Sequence, residues 1–138
     1  MEVPNPQGST MSVSINHLIL FAHDKVSSAR FLAHILDRPE PTLWGPFATV
    51  ALDSHFHVEF AEPDYEIQPQ HVAFLVSEED FDGIYERITA TGLTHWADPQ
   101  MAHPGTYNRN HGGRGVYFRD PSGHGLEVLT RPYGADLP

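Results

Sequence analysis

Cysteine is absent from the 138 residues, which excludes disulfides, thiolate nucleophiles and zinc-thiolate sites together. Basic residues are scarce: 8 lysines and arginines stand against 18 aspartates and glutamates, a formal net charge of −10. A field of that sign repels phosphate backbones, so nucleic acid is not an expected partner. No apolar run approaches the roughly 18 residues that a membrane-crossing helix needs. The start, MEVPNPQGST, shows no basic-then-apolar signal pattern, and the expected compartment is the cytoplasm.

What is present is a hydrophobic fraction of 40%, enough for a folded core, and ten histidines, the feature that most needs explaining. Residues 1–13 are set aside as an N-terminal extension. Residues 14–138 read as one domain.

Ile15-Asn16-His17-Leu18-Ile19-Leu20-Phe21 has the pattern of a strand. Asp24 then N-caps a helix running to about Leu36, with Val26, Ala29, Ala33 and Leu36 at helical spacing. Pro39 and Pro41 end it. Two strands follow, near Phe47–Leu52 and Ser54–Ala61, with Asp53-Ser54 as the turn. The order then repeats. Gln70–Val76 reads as a strand, and Ser77 to Asp80 as a capping box. Phe81, Ile84, Tyr85 and Ile88 make an apolar helix face that Gly92 stops. After a Pro- and Gly-containing loop, strands are expected at Gly115–Arg119 and Gly125–Arg131. The predicted fold is therefore α+β. Two βαβββ modules, at about 14–62 and 69–131, form a cupped mixed sheet with helices outside.

Strand alternation assigns the faces. Leu18 and Leu20 pack, which leaves His17 on the other face. Phe56, Val58 and Phe60 pack, which throws His55, His57 and Glu59 together. Val72, Phe74 and Val76 pack opposite His71, and Leu126 and Val128 pack opposite Glu127. Each half thus has a histidine on its first strand and a glutamate on its last, facing a shared concavity. Any one of these residues alone is explained by solvent exposure; the repeated placement is not. Imidazoles with a carboxylate suit one divalent ion, Fe(II), Mn(II), Zn(II) or Ni(II). Open positions on such an ion would receive a chelating substrate. In the loop before the Gly115–Arg119 strand, Asn108, Arg109 and Arg114 are candidate substrate anchors, and His55 is a further one. His57 and His111 are candidate acid–base groups. His124 sits in a turn and is expected at the surface or behind a ligand.

The run Gly115-Val116-Tyr117-Phe118-Arg119-Asp120-Pro121-Ser122-Gly123-His124-Gly125-Leu126-Glu127 resembles the end of vicinal oxygen chelate proteins. Gln70-His71-Val72-Ala73-Phe74-Leu75-Val76 resembles that superfamily's second ligand strand. The superfamily includes glyoxalase I, extradiol dioxygenases, fosfomycin-resistance enzymes and bleomycin-binding proteins. The resemblance implies His17, His71 and Glu127 as metal ligands, with Glu59 as a possible fourth on the glyoxalase I plan. The spacing of Tyr117 and Asp-Pro-x-Gly before Glu127 approaches the extradiol signature, with His111 as candidate for its upstream histidine. The resemblance therefore implies a dioxygenase first, using Fe2+ or Mn2+ ahead of Zn2+ or Ni2+. A glyoxalase-like lyase, a fosfomycin-type enzyme and a non-catalytic drug-binding protein are the alternatives. Tyr117 would handle a proton. A homodimer is expected, on the motive of short apolar strands such as Ala48–Leu52 that would form sheet edges.

Overall fold

The computed structural model describes residues 12–53 and 55–135. The N-terminal extension as far as residue 11, and Ser54 of the expected turn, lie outside the described residues. The chain runs β1 (His17–Phe21), α1 (Lys25–Leu36), β2 (Thr42–Trp44), β3 (Phe47–Ala51) and β4 (His57–Ala61). It continues with β5 (His71–Leu75), α2 (Glu78–Ala90), β6 (His95–Trp96), β7 (Gly115–Arg119) and β8 (Gly125–Leu129). A short 3₁₀ turn at Asn110–Gly112 precedes β7.

The two halves repeat one topology. The first sheet has the order β1-β4-β3-β2 and the second β5-β8-β7-β6. In each, the first strand pairs parallel with the last, and the other neighbours are antiparallel. This is the expected βαβββ module; the sequence placed two strands after each helix, and the remaining one in each half is β2 or β6. Both are short outer strands, three and two residues long.

Helix starts follow the capping residues. The Asp24 carboxylate accepts from the Ser27 amide, and the Ser77 hydroxyl accepts from the Asp80 amide. The buried side of α1 is Ser28, Ala29, Leu32, Ala33 and Ile35. That stripe is rotated from the expected one, and Val26 and Leu36 lie at its margins. The core unites this stripe with Leu20, Val50, Val58 and Phe60 of the first sheet. Phe81, Ile84 and Ile88 of α2, with Val116, Phe118, Leu126 and Val128, fill the second half.

The halves are joined by polar contacts. The Arg87 guanidinium of α2 donates to the Ile35 carbonyl at the end of α1, 3.0 Å away. His124 is 1% exposed. Its Nδ1 accepts from the Gln70 amide at 2.9 Å, and its Nε2 donates to the Phe21 carbonyl at 2.7 Å. The Ser122 hydroxyl in the same turn accepts from the His23 amide. His124 is thus a buried clasp between the end of β1 and the start of β5. Among the described residues, β1 pairs only with β4 and β5 only with β8. A groove of about 1040 Å³, lined by Leu18 and Val58 from one half and Val72, Ala73 and Leu75 from the other, runs between them. The sheet edges are therefore β1, β2, β5 and β6. The expectation that Ala48–Leu52 forms an edge is corrected, because β3 lies between β2 and β4.

Candidate functional site

The core claims alternate residues of every strand and leaves the others on an open face. Leu20, Val58 and Phe60 are buried in the core that also holds the inner side of α1. His17, Ile19, His57 and Glu59 share the opposite face of the first sheet, where the β1–β4 register sets His17 beside His57 and Ile19 beside Glu59. In the second sheet the same register sets His71 beside Gly125 and Ala73 beside Glu127, and Tyr117 of β7 pairs with Glu127.

Each half carries one histidine–glutamate pair. His17 Nε2 stands 3.6 Å from Glu59 Oε2, and His71 Nε2 stands 3.0 Å from Glu127 Oε1. The glutamates are buried, 8% and 1% exposed, at positions where an isolated carboxylate is costly. The other ring nitrogens face oxygens that can only accept. His17 Nδ1 lies 2.8 Å from the Asn16 side-chain oxygen, His57 Nδ1 3.2 Å from the His55 carbonyl, and His71 Nδ1 3.0 Å from the Gly125 carbonyl. In a neutral ring each Nδ1 must therefore carry the hydrogen, and Nε2 presents a lone pair. Two lone-pair groups then meet at each His–Glu contact, an arrangement that needs a proton or a metal cation between them. A histidine fixed by an Nδ1–H···O bond, with Nε2 aimed beside a carboxylate, is the donor set that divalent metals take. The residues present fit the implied ion.

The structure brings His17, His57 and Glu59 together, with their ligand atoms within 4.8 Å of one another. The His17 and His57 rings stack at 5.7 Å. No other cluster of three such donors occurs among the described residues. Within one chain, His17 is thus not gathered with His71 and Glu127, which form a separate pair on the second sheet.

Beside that pair lies a group the sequence reading missed. Tyr133, just after β8, donates its hydroxyl to Glu127 Oε2 at 2.5 Å, and the Tyr117 hydroxyl lies 3.0 Å from that of Tyr133. Burial, the Tyr133 hydrogen bond and the Glu127 charge push the Tyr117 pKa well above the ordinary phenol value. Desolvation at its hydroxyl end and the hydrogen bond to Glu127 raise that of Tyr133, although the ring itself is exposed. Both phenols are held protonated. Tyr133 follows the last strand without any periodic pattern, so nothing short of the fold could have revealed it.

The candidate substrate residues fall mainly outside this face. Arg114 lies over the Phe81 ring, its guanidinium 2.8 Å from Glu78 and 2.8 Å from Asp82. Burial opposes its charge, but hydrogen bonds with Asp82, Tyr107 and Glu78 push its pKa upward. The start of α2 holds it. Asn108 is a loop brace, donating to the Ala97 carbonyl and accepting from the Asn110 amide. Arg109 is exposed and donates to the Tyr107 hydroxyl. His55 is exposed in the turn at φ 65°, off the strand, so it does not share a strand face with His57 and Glu59. His111 accepts from the Gly134 amide through Nδ1, and its ring lies 5.5 Å from that of Tyr133.

No family profile matches the chain. A glutathione transferase, FosA, of Serratia marcescens is 31% identical over 134 residues, covering 92% of this chain and 87% of that protein. Among solved structures, Oxidase ChaP-H2 superposes with a TM-score of 0.87 at 52% identity, covering 91% of this chain and 99% of that one. Oxidase ChaP-H1 superposes at 0.86 and 50% identity, covering 89% and 99%. With the paired βαβββ modules and the two His–Glu pairs, these relatives settle the family: the chain belongs to the vicinal oxygen chelate superfamily and is a metal-dependent enzyme of it.

Proposed function

We propose that the protein is an oxygen-using oxidoreductase of the dioxygenase type. Its metal would be held between two copies of the chain, by His17 of one and His71 with Glu127 of the other. The observation that carries this reading is the division of the donors. Each sheet holds one histidine–glutamate pair, and the first strand of each sheet, β1 or β5, has an unpaired edge. Exposed apolar residues line the same strands, Ile19 at 42% and Leu75 at 62%, as a covered face requires. Pairing the first sheet of one chain with the second sheet of another would complete the cup. Glu59 would stand beside the ion rather than bind it.

Two histidines and one carboxylate with open positions favour Fe2+, with Mn2+ next, as the ion. When bound, it would supply Lewis-acid binding for two adjacent substrate oxygens and one-electron chemistry. The chain itself supplies the pocket. Ile19, Ala73 and Leu75 offer apolar contact to a flat ring. His57 is positioned to exchange a proton at Nε2. Tyr117 and Tyr133, both held protonated, hydrogen-bond rather than act as bases.

The likeness to oxidases at 50% and 52% identity supports the reaction class. The 31% identity to a glutathione transferase favours a second reading, thiol transfer of the fosfomycin type. That reading asks for cations to hold a phosphonate, and Arg114 is committed to Glu78 and Asp82 outside the cup. The test is oxygen uptake by Fe2+-loaded protein with catechols, beside glutathione consumption with fosfomycin. Thiol consumption without oxygen uptake would transfer the assignment to the second reading.

A further inference from the structure

We infer that Tyr133 is a positioning residue for Glu127: it occupies one carboxylate oxygen and so makes Glu127 a one-oxygen metal ligand. The inference rests on the reading of Glu127 as a ligand. The two oxygens of Glu127 face different partners. Oε1 lies 3.0 Å from His71 Nε2, and Oε2 receives the Tyr133 hydroxyl at 2.5 Å. A contact that short, with the phenol hydroxyl donating, is a strong hydrogen bond that fills one side of the carboxylate. Tyr133 has one hydroxyl hydrogen and spends it there. At its 3.0 Å contact with Tyr117 it must therefore accept, with Tyr117 the donor. Tyr117 thus backs Tyr133, and its own hydroxyl also interacts with Glu127.

The segment that carries Tyr133 is itself tied down. The Gly134 amide donates to His111 Nδ1 at 3.2 Å, the Arg131 guanidinium donates to the Ala135 carbonyl at 3.0 Å, and the Tyr133 ring lies against that of His111. His111 has φ 57° and Gly112 φ 77°, a left-handed pair that bends this turn beneath the tail. The Tyr133 residue is 63% exposed while its hydroxyl reaches a glutamate that is 1% exposed. An apolar packing role does not explain a ring so open; the hydrogen bond does. Tyr133 thus stands behind a ligand, where such partners fix orientation and basicity.

The experiment titrates Co2+ into metal-free parent protein, Tyr133→Phe, Tyr117→Phe and Glu127→Gln, and follows the visible spectrum, with circular dichroism as the check on folding. Tyr133→Phe is expected to weaken the Kd by about 10–100-fold. It should also shift the visible band, because the freed oxygen enters the coordination sphere. Tyr117→Phe leaves the Tyr133–Glu127 bond in place and should move both readouts less, in the same direction. Glu127→Gln should lose the ion. Parental affinity and spectrum in Tyr133→Phe, with Glu127→Gln still deficient, would overturn the role of Tyr133 and leave Glu127 a ligand. Retention of the ion by Glu127→Gln would overturn both.

Discussion

Gly125 faces His71 across β5–β8 in the place where His57 faces His17 across β1–β4. The two half-sites share a register but differ in one side chain. In the second sheet no ring stacks on His71 from the facing position, and His71 Nδ1 meets the Gly125 carbonyl. In the first, the His57 ring stacks on His17, and Asn16 supplies the oxygen for Nδ1. His57→Phe keeps a flat ring against His17 and removes the nitrogen. It should retain the metal and lower kcat by about 10²–10⁴-fold if His57 moves the proton. Steady-state kinetics on metal-quantified protein check this, and parental kcat would leave His57 as packing.

Glu59 and Glu127 are equally buried in kind but not equally placed. Glu127 is gripped by Tyr133 and lies 3.0 Å from its histidine; Glu59 lies 3.6 Å from its own. Among the described residues, no tyrosine hydroxyl bonds to Glu59 as Tyr133 does to Glu127. Glu127→Gln should therefore lose the ion, while Glu59→Gln should keep it. Elemental analysis after desalting decides the matter. Equal losses would mean four ligands on the glyoxalase plan.

The order of elements was legible because its signals are local. Asp24 and Ser77 cap as they read, and alternation in β1, β4 and β5 set His17, His57, Glu59 and His71 on the open faces. What was not legible depends on distant neighbours. His55 continues the alternation of the strand in sequence, but the chain turns there at a positive φ. Arg114 looks free in a glycine-rich loop until α2 brings Glu78 and Asp82 to it. His124 looks like a surface turn residue, yet its partner Phe21 lies 103 residues earlier. The division of donors between two sheets leaves no trace in spacing at all.

That clasp yields a stability prediction. His124→Ala would strand the Gln70 amide and the Phe21 carbonyl where the ring now satisfies both. The expected loss is about 2–4 kcal/mol, from two stranded polar groups at roughly 1–3 kcal/mol each less some relief by water. A urea midpoint shift at unchanged slope would measure it. A shift under a few tenths of a kcal/mol would mean that water replaces the ring.

Tyr117 carries a pH prediction. Its pKa in the folded chain is raised above the ordinary phenol value. The unfolded chain therefore ionises first as pH rises, and binds fewer protons than the fold does. The contribution is fully present below about pH 10 and is lost as pH climbs toward the folded value. Tyr117→Phe should remove this part of the alkaline fall. The difference between parent and variant urea midpoints, at pH 9 and again at pH 11, tests it. A difference that does not change with pH would contradict the linkage.

The last prediction addresses the division of donors directly. Sedimentation should give a dimer at micromolar concentration. His17→Ala and Glu127→Ala should each lose metal, since every site in either homodimer lacks a ligand. Unfolded together and refolded, the two chains re-pair at random, and half of the dimers are mixed. In a mixed dimer, one site joins the intact His17 of one chain to the intact His71 and Glu127 of the other, and the second site lacks both. Metal content should therefore recover to about a quarter of the parental value, as two-fold symmetry requires. Recovery cannot arise if all three ligands come from one chain, because each chain then carries its own defect into its own site. A monomer, or a dimer whose mixed population stays free of metal, would sink the shared site and require the halves of one chain to close on each other instead.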